Sequence, residues 1–150
     1  MIGLSSCSWR ITQVPARVVY QRGAPESWTT KLKAATDAIN EAVGCRVFQD
    51  PMPDHVTKVG VNVLYHQDRI DGGQARGRAN FCSVYVGSRD KKFELPIMVH
   101  ELLHCLGVGH QYGDWRDVMS ENVSLDWNIG DYRKALNEIY CIKEVQPGEQ

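Results

Sequence analysis

The expected fold and chemistry of this chain depend on one stretch, HELLHCLGVGH, at residues 100–110. Residues four apart on an α-helix lie on one face about one turn apart, so His100 and His104 can direct both imidazoles at one metal ion. A continuing helix would turn His110 away from them. Gly107 is therefore expected to end the helix, because glycine readily takes the left-handed conformation, and Gly109 adds a second permissive position.

Three neutral imidazole nitrogens with a fourth position left open are typical of a catalytic zinc site, whereas structural zinc sites are closed. Glu101, beside the first histidine, can take a proton from zinc-bound water and pass it to a leaving group. The alternative is three structural histidines in an amphipathic helix. The spacing of the three, together with Glu101 and Gly107, favours the metal site.

The pattern His-Glu-x-x-His-x-x-Gly-x-x-His resembles the zinc signature of the metzincin metallopeptidases. That family adds a methionine in a tight turn beneath the metal, and Asp-Val-Met-Ser at residues 117–120 resembles this Met-turn. The resemblance implies that Met119 is the floor of the site, packed beneath the metal ligands. A methionine of the hydrophobic core can also have this role. The layout is nearest to a compact matrixin-like domain, but the subfamily stays unassigned, because Gln111 matches none of the residues that follow the third histidine in matrixins, astacins and adamalysins. Glu121 replaces a tyrosine that can bind zinc in astacins and serralysins.

Composition predicts a single domain over residues 1–150, since 43% of the residues are hydrophobic, enough for a core. A net charge of −1 without charged runs predicts no nucleic-acid or anionic-membrane partner. We find no signal peptide and no apolar run long enough to span a bilayer. We expect a monomer, cytoplasmic as the chain is written or secreted if it is a processed domain of a longer precursor.

Strands are predicted where β-branched and aromatic residues cluster or alternate, at residues 17–20, 46–48, 59–65 and 81–86. Pro51 and Pro53 predict a loop after the second of these.

Apolar residues at helical spacing predict a helix that Ser27 or Thr29 caps and Gly44 ends, a zinc helix at 94–106 and a terminal helix at about 131–142. The order matches an α+β metzincin-like domain. We expect a mixed twisted sheet of about four to five strands with a backing helix, a zinc helix and a C-terminal helix.

In metzincins the strand before the zinc helix forms the sheet edge and pairs with an extended substrate. An edge strand suits this task because its unpaired N–H and C=O groups can bind any peptide backbone. The resemblance therefore implies a substrate platform in this strand, although an ordinary strand closing the sheet explains each residue equally well. The candidate residues are Asn80, Phe81, Cys82, Ser83, Val84 and Tyr85.

The cysteines are Cys7, Cys45, Cys82, Cys105 and Cys141, and none forms a Cys-x-x-Cys pair. Because five is an odd number, at least one is unpaired. We interpret Cys82 and Cys105 as small buried hydrophobes, and leave open one or two disulfides whose connectivity the sequence does not give.

Residues 66–73, His-Gln-Asp-Arg-Ile-Asp-Gly-Gly, partly resemble the matrixin loop that holds a structural zinc and a calcium ion. A second zinc is not expected, because His55 is the one further histidine outside this loop and the active-site motif. Calcium at Asp68 and Asp71 is less favoured than a plain glycine-rich surface loop.

These patterns together predict a zinc-dependent endopeptidase with one catalytic Zn²⁺ and a protein or peptide substrate. Two alternatives stay open: a zinc hydrolase acting on a non-protein amide or ester, and a non-catalytic peptide-binding module. Glu101 disfavours the second alternative, because binding a peptide needs no general base.

Overall fold

The computed structural model describes residues 11, 13–65, 72–78, 81–87, 90–130 and 132–141. Five strands and three α-helices follow one another in the described part of the chain, with a single 3₁₀ turn at Lys91–Phe93. In chain order they are β1 (Val18–Tyr20), α1 (Glu26–Val43), β2 (Met52–Pro53), β3 (Gly60–Tyr65), β4 (Gly72–Arg78), β5 (Phe81–Gly87), α2 (Glu94–Cys105) and α3 (Arg133–Tyr140).

The five strands form one mixed sheet in the order β2-β1-β3-β5-β4. Strands β2, β1, β3 and β5 run parallel to one another, and β4 runs antiparallel to β5 along its whole length. Strand β4 therefore forms one edge of the sheet and β5 lies inside it. The predicted α+β class, with a mixed sheet of about five strands and three helices, is confirmed.

Helix α1 packs on α2, and α2 packs on β4 and β5. The apolar stripe of α1 is completely buried at Leu32, Ala35 and Ile39, and burying a leucine side chain contributes about 1.5–3 kcal/mol. At the start of α2, the buried Glu94 accepts a hydrogen bond from Lys31 of α1 at 2.8 Å. This ion pair fixes the beginning of α2, the helix that carries the first two histidines.

The predicted backing helix is confirmed, with Gly44 in the left-handed conformation directly after its last residue. Its predicted cap is wrong. Pro25 occupies the N-cap position, while Ser27 and Thr29 lie inside the helix, where the Thr29 hydroxyl donates to the Glu26 carbonyl oxygen at 3.0 Å.

One predicted strand is also wrong, and two observed strands were not predicted. In the predicted strand 46–48, Phe48 forms an isolated bridge to Ala16, and the short strand β2 lies at Met52–Pro53, where a loop was expected. Proline is tolerated there because β2 is an edge strand. Strand β4 (Gly72–Arg78) was not predicted; it begins at the last two residues of the predicted glycine-rich loop, because its pairing with β5 outweighs the low strand propensity of glycine. Asp68 and Asp71 lie outside the described residues.

Two disulfides join distant parts of the chain, Cys45 to Cys141 and Cys82 to Cys105, with Cα–Cα distances of 5.7 and 5.9 Å. The interpretation of Cys82 and Cys105 as unpaired small hydrophobes is wrong. Both are buried as expected, but their sulfurs meet where α2 packs on β5. The second disulfide therefore ties the strand inside the sheet to the residue after His104.

Across the part of the chain that the structure describes, we find no helix with both the length and the apolar character needed to cross a bilayer.

The Cys45–Cys141 disulfide closes a loop across a sequence separation of 96 residues. Replacing both residues, Cys45→Ala with Cys141→Ala, is expected to lower the free energy of unfolding by about 2–4 kcal/mol, because the unfolded chain gains conformational freedom. Urea denaturation in oxidising buffer measures the loss. With dithiothreitol present, parent and variant should differ far less, and equal midpoints in oxidising buffer would contradict the expectation.

Candidate metal centre

Helix α2 presents His100 and His104 and then ends as the sequence predicts. Gly107 has φ 94°, and its N–H donates to the His104 carbonyl at 2.9 Å, while the Val108 N–H donates to the Leu103 carbonyl at 3.1 Å. These two bonds form a Schellman motif, which satisfies helix-end carbonyls through a left-handed glycine. The chain turns back after it, and the His110 ring lies 5.2 Å from the His100 ring and 5.0 Å from the His104 ring.

Backbone carbonyls set the tautomers of the first two histidines. His100 Nδ1 lies 2.6 Å from the Val118 carbonyl oxygen, and His104 Nδ1 lies 2.7 Å from that of Val108. Because a carbonyl oxygen can only accept, each Nδ1 carries the proton and each Nε2 carries a lone pair. The two Nε2 atoms face each other at 3.1 Å.

The cluster favours neutral imidazoles. Burial lowers the pKa of His100 to about 4 and also lowers the pKa of His104, so both rings are uncharged at pH 7. Two lone pairs at 3.1 Å repel each other unless a cation lies between them.

The donor set fits zinc. One ligand nitrogen from each of His100, His104 and His110 lies within 4.8 Å of the others. Tetrahedral zinc with bonds of about 2.0–2.1 Å would place its nitrogen ligands about 3.3 Å apart, close to the 3.1 Å between the first two. These three residues could therefore hold one metal ion.

A turn at residues 117–120 holds the carbonyl that orients His100. The Ser120 N–H donates to the Asp117 carbonyl at 2.8 Å and closes the turn. The buried Asp117 carboxylate accepts from the Met119 N–H at 2.8 Å and from the Tyr132 hydroxyl at 3.3 Å. Met119 is fully buried in this turn, next to Val118, and its role as the floor of the metal site stays a prediction.

The histidines line a cleft of about 520 Å³ between β4, α2 and the segment after the turn. Ile97 of α2 also lines it. Sequence reasoning did not place the remaining residues in the cleft wall, since they lie on the missed strand, in the 3₁₀ turn before α2 or in the irregular segment after Met119. These are Gly73, Ala75, Phe93, Glu121, Asn122 and Val123.

Glu101 faces the same cleft, and its Oε1 lies 4.0 Å from His100 Nε2. The residue is 5% exposed. The backbone of β4 passes closely over it, because a Cβ added to Gly73 would lie 2.6 Å from Glu101 Cγ and 2.8 Å from Ile97 Cγ2. The missing side chain at Gly73 thus makes room for the carboxylate, and the alternation of small and polar residues along 73–78 was the signal that could have revealed this strand.

The expectation that the strand before the zinc helix forms the sheet edge is wrong, and substrate binding by its residues stays a prediction. Residues Phe81 to Tyr85 lie in β5, which pairs with β3 on one side and β4 on the other, so their backbone groups are not at an edge. Within this set Cys82 is in a disulfide and Val84 is fully buried. Asn80 lies outside the described residues. The sheet edge beside the cleft is β4.

No protein-family model matches the sequence, and no curated protein matches it significantly. Among solved structures, metalloproteinase-II from Bacteroides fragilis is 14% identical with a TM-score of 0.53 over 86% of this chain and 54% of that one. High choriolytic enzyme 1, a hatching enzyme zinc-protease from Oryzias latipes, is 16% identical with a TM-score of 0.43 over 71% of this chain and 51% of that one. The chain spans about half the length of each. The similarity to the Bacteroides protein shows that the two chains share a fold.

The turn at Asp117 can be tested by a matched pair of variants. Asp117→Ala is expected to lower the free energy of unfolding by about 1–3 kcal/mol, because the buried Tyr132 hydroxyl and Met119 N–H lose their acceptor. Asp117→Asn keeps an acceptor oxygen and should lose clearly less. Chemical denaturation measures both, and an alanine variant as stable as the parent would argue against this role.

Proposed function

We propose that the protein is a zinc-dependent endopeptidase in which His100, His104 and His110 hold one zinc ion and Glu101 is the general base. The observation that carries the proposal is the pair of Nε2 lone pairs facing each other at 3.1 Å inside a cleft that also contains Glu101. The two neutral Nε2 atoms repel each other at that distance unless they share a cation. The Glu101 carboxylate beside this cation site supplies the base that hydrolysis needs. The fold shared with a metalloproteinase is consistent with this assignment.

Zinc, when bound, polarises the substrate carbonyl and lowers the pKa of a water molecule towards neutrality. The Glu101 carboxylate accepts one proton from the attacking water as the new C–O bond forms. It then returns this proton to the amide nitrogen as the C–N bond breaks, which leaves a carboxylic acid and an amine. The Nδ1–H bonds of His100 and His104 to backbone carbonyls hold both rings in the orientation that ligation requires.

Strand β4 supplies the feature that favours a peptide as substrate. It is an edge strand beside the cleft, so one row of its backbone N–H and C=O groups is not used by the sheet. Gly73 and Ala75 face the cleft with small or missing side chains, which leaves room for an extended backbone. We therefore propose that the substrate backbone pairs with β4 and not with β5, adding to the sheet as a further strand.

The two disulfides favour a secreted protein over a cytoplasmic one. Disulfides form and persist in oxidising compartments and are rare in reducing ones.

Glu101→Ala is expected to keep one zinc per chain and to lose cleavage of a mixed peptide library by a factor of about 10²–10⁴, because a general base contributes on that order. Metal analysis and mass-spectrometric cleavage profiles measure the two quantities. Chelation should abolish the parent's cleavage and added zinc should restore it. Unimpaired cleavage by Glu101→Ala would refute the mechanism, and hydrolysis of small amides without any peptide cleavage would favour the non-protein amide or ester alternative.

Gly73→Ala tests the close approach of β4 to Glu101. The added methyl group must displace the carboxylate or the strand, so kcat/KM should fall roughly tenfold to a hundredfold while zinc content is kept.

Gly113→Ala is the matched control for this change, because a Cβ at Gly113 meets nothing within 4 Å. It should leave kcat/KM unchanged. Equal kinetics for the two alanine variants would contradict the placement of Glu101 against β4.

A further inference from the structure

Glu121 lies in the wall of the cleft, just beyond the turn that holds Met119. The Met119 carbonyl accepts a hydrogen bond from the Gln111 N–H at 2.9 Å, which links the turn to the residue after His110. Since the Val118 carbonyl also contacts His100, the turn is joined to one histidine and to the residue that follows another. Glu121 follows two residues after Met119, and this attachment directs it to the cleft beside the metal centre.

Apart from the proposed zinc ion, the charged side chains that line the cleft have one sign. Among the described residues that line it, no lysine or arginine is present, and the carboxylates are those of Glu101 and Glu121. In the described part of the chain, no ion pair involves Glu121. Its side chain is exposed to solvent, so it is available to a ligand that enters the cleft.

Apolar groups share this cleft with Glu121. Phe93 and Ile97 line it from the start of α2, and Val123 lines it from the same segment as Glu121. A long aliphatic stem that ends in a positive charge matches apolar walls with a carboxylate at the rim. Lysine and arginine side chains have this construction, because their methylene stems bury on apolar surface while the charged head stays near water.

We propose that Glu121 determines specificity, by favouring peptides that carry lysine or arginine beside the cleaved bond. The inference rests on the proposed peptidase function and adds the chemical class of the preferred substrate. Glu121 is exposed, and exposed ion pairs are weak. We therefore expect a preference of about twofold to fivefold in kcat/KM at low ionic strength, decreasing with added salt.

The test uses the zinc-loaded protein and peptides that are identical except for lysine, methionine or glutamate at the position on either side of the cleaved bond. Methionine gives a neutral side chain of similar length. For the parent, the lysine-to-methionine ratio of kcat/KM should exceed one at one of the two positions. Glu121→Gln should bring that ratio close to one, and Glu121→Lys should shift the preference to glutamate.

Glu41→Gln is the matched control, because Glu41 is an exposed glutamate of α1 that does not line the cleft. It should leave the ratio as in the parent. A parent ratio of one at both positions, or a ratio that Glu121→Gln leaves unchanged, would overturn the specificity role while the peptidase function stands. Failure to cleave any peptide would overturn the proposed function and the inference together.

Discussion

Two hydrogen bonds from histidine Nδ1 atoms to backbone carbonyls determine what this cleft can do. They direct the Nε2 lone pairs of His100 and His104 at each other, and burial favours the neutral rings. Each acceptor depends on local backbone structure. The Val108 carbonyl lies next to His104 because the helix ends at a left-handed glycine. The Val118 carbonyl lies next to His100 because the buried Asp117 carboxylate stabilises the turn at residues 117–120. The metal-binding capacity thus follows from helix termination and turn formation.

The parts of the site that were predictable from the sequence are those that local geometry governs. Four-residue spacing on a helix places His100 and His104 together whatever surrounds them, and Gly107 ends the helix because few other residues accept its backbone conformation. The second carbonyl acceptor was not predictable. It depends on a turn 18 residues away from His100 in the sequence, and spacing contains no information about which carbonyl will meet which ring.

Pairing between distant segments explains the errors. Strand β4 contains glycine at positions 72, 73 and 77, and its stability comes from its partner β5, so local propensity predicted a loop. The family resemblance placed the sheet edge at the strand before the zinc helix, whereas β4 pairs with the outer side of β5 and takes the edge position itself. The partner of Cys82 is likewise set by how α2 packs on the sheet. Residues that non-local contacts bring together form most of the cleft walls. The histidine motif therefore could not predict the substrate preference.

X-ray absorption spectroscopy at the zinc edge of the zinc-loaded protein tests the three-histidine centre most directly. The account predicts a first shell of nitrogen and oxygen ligands at about 2.0–2.1 Å, with multiple-scattering features of three imidazoles and no sulfur. His110→Ala should reduce the imidazole count to two. A sulfur ligand at about 2.3 Å, or an imidazole count that His110→Ala leaves unchanged, would contradict the assignment of His100, His104 and His110 as the ligands.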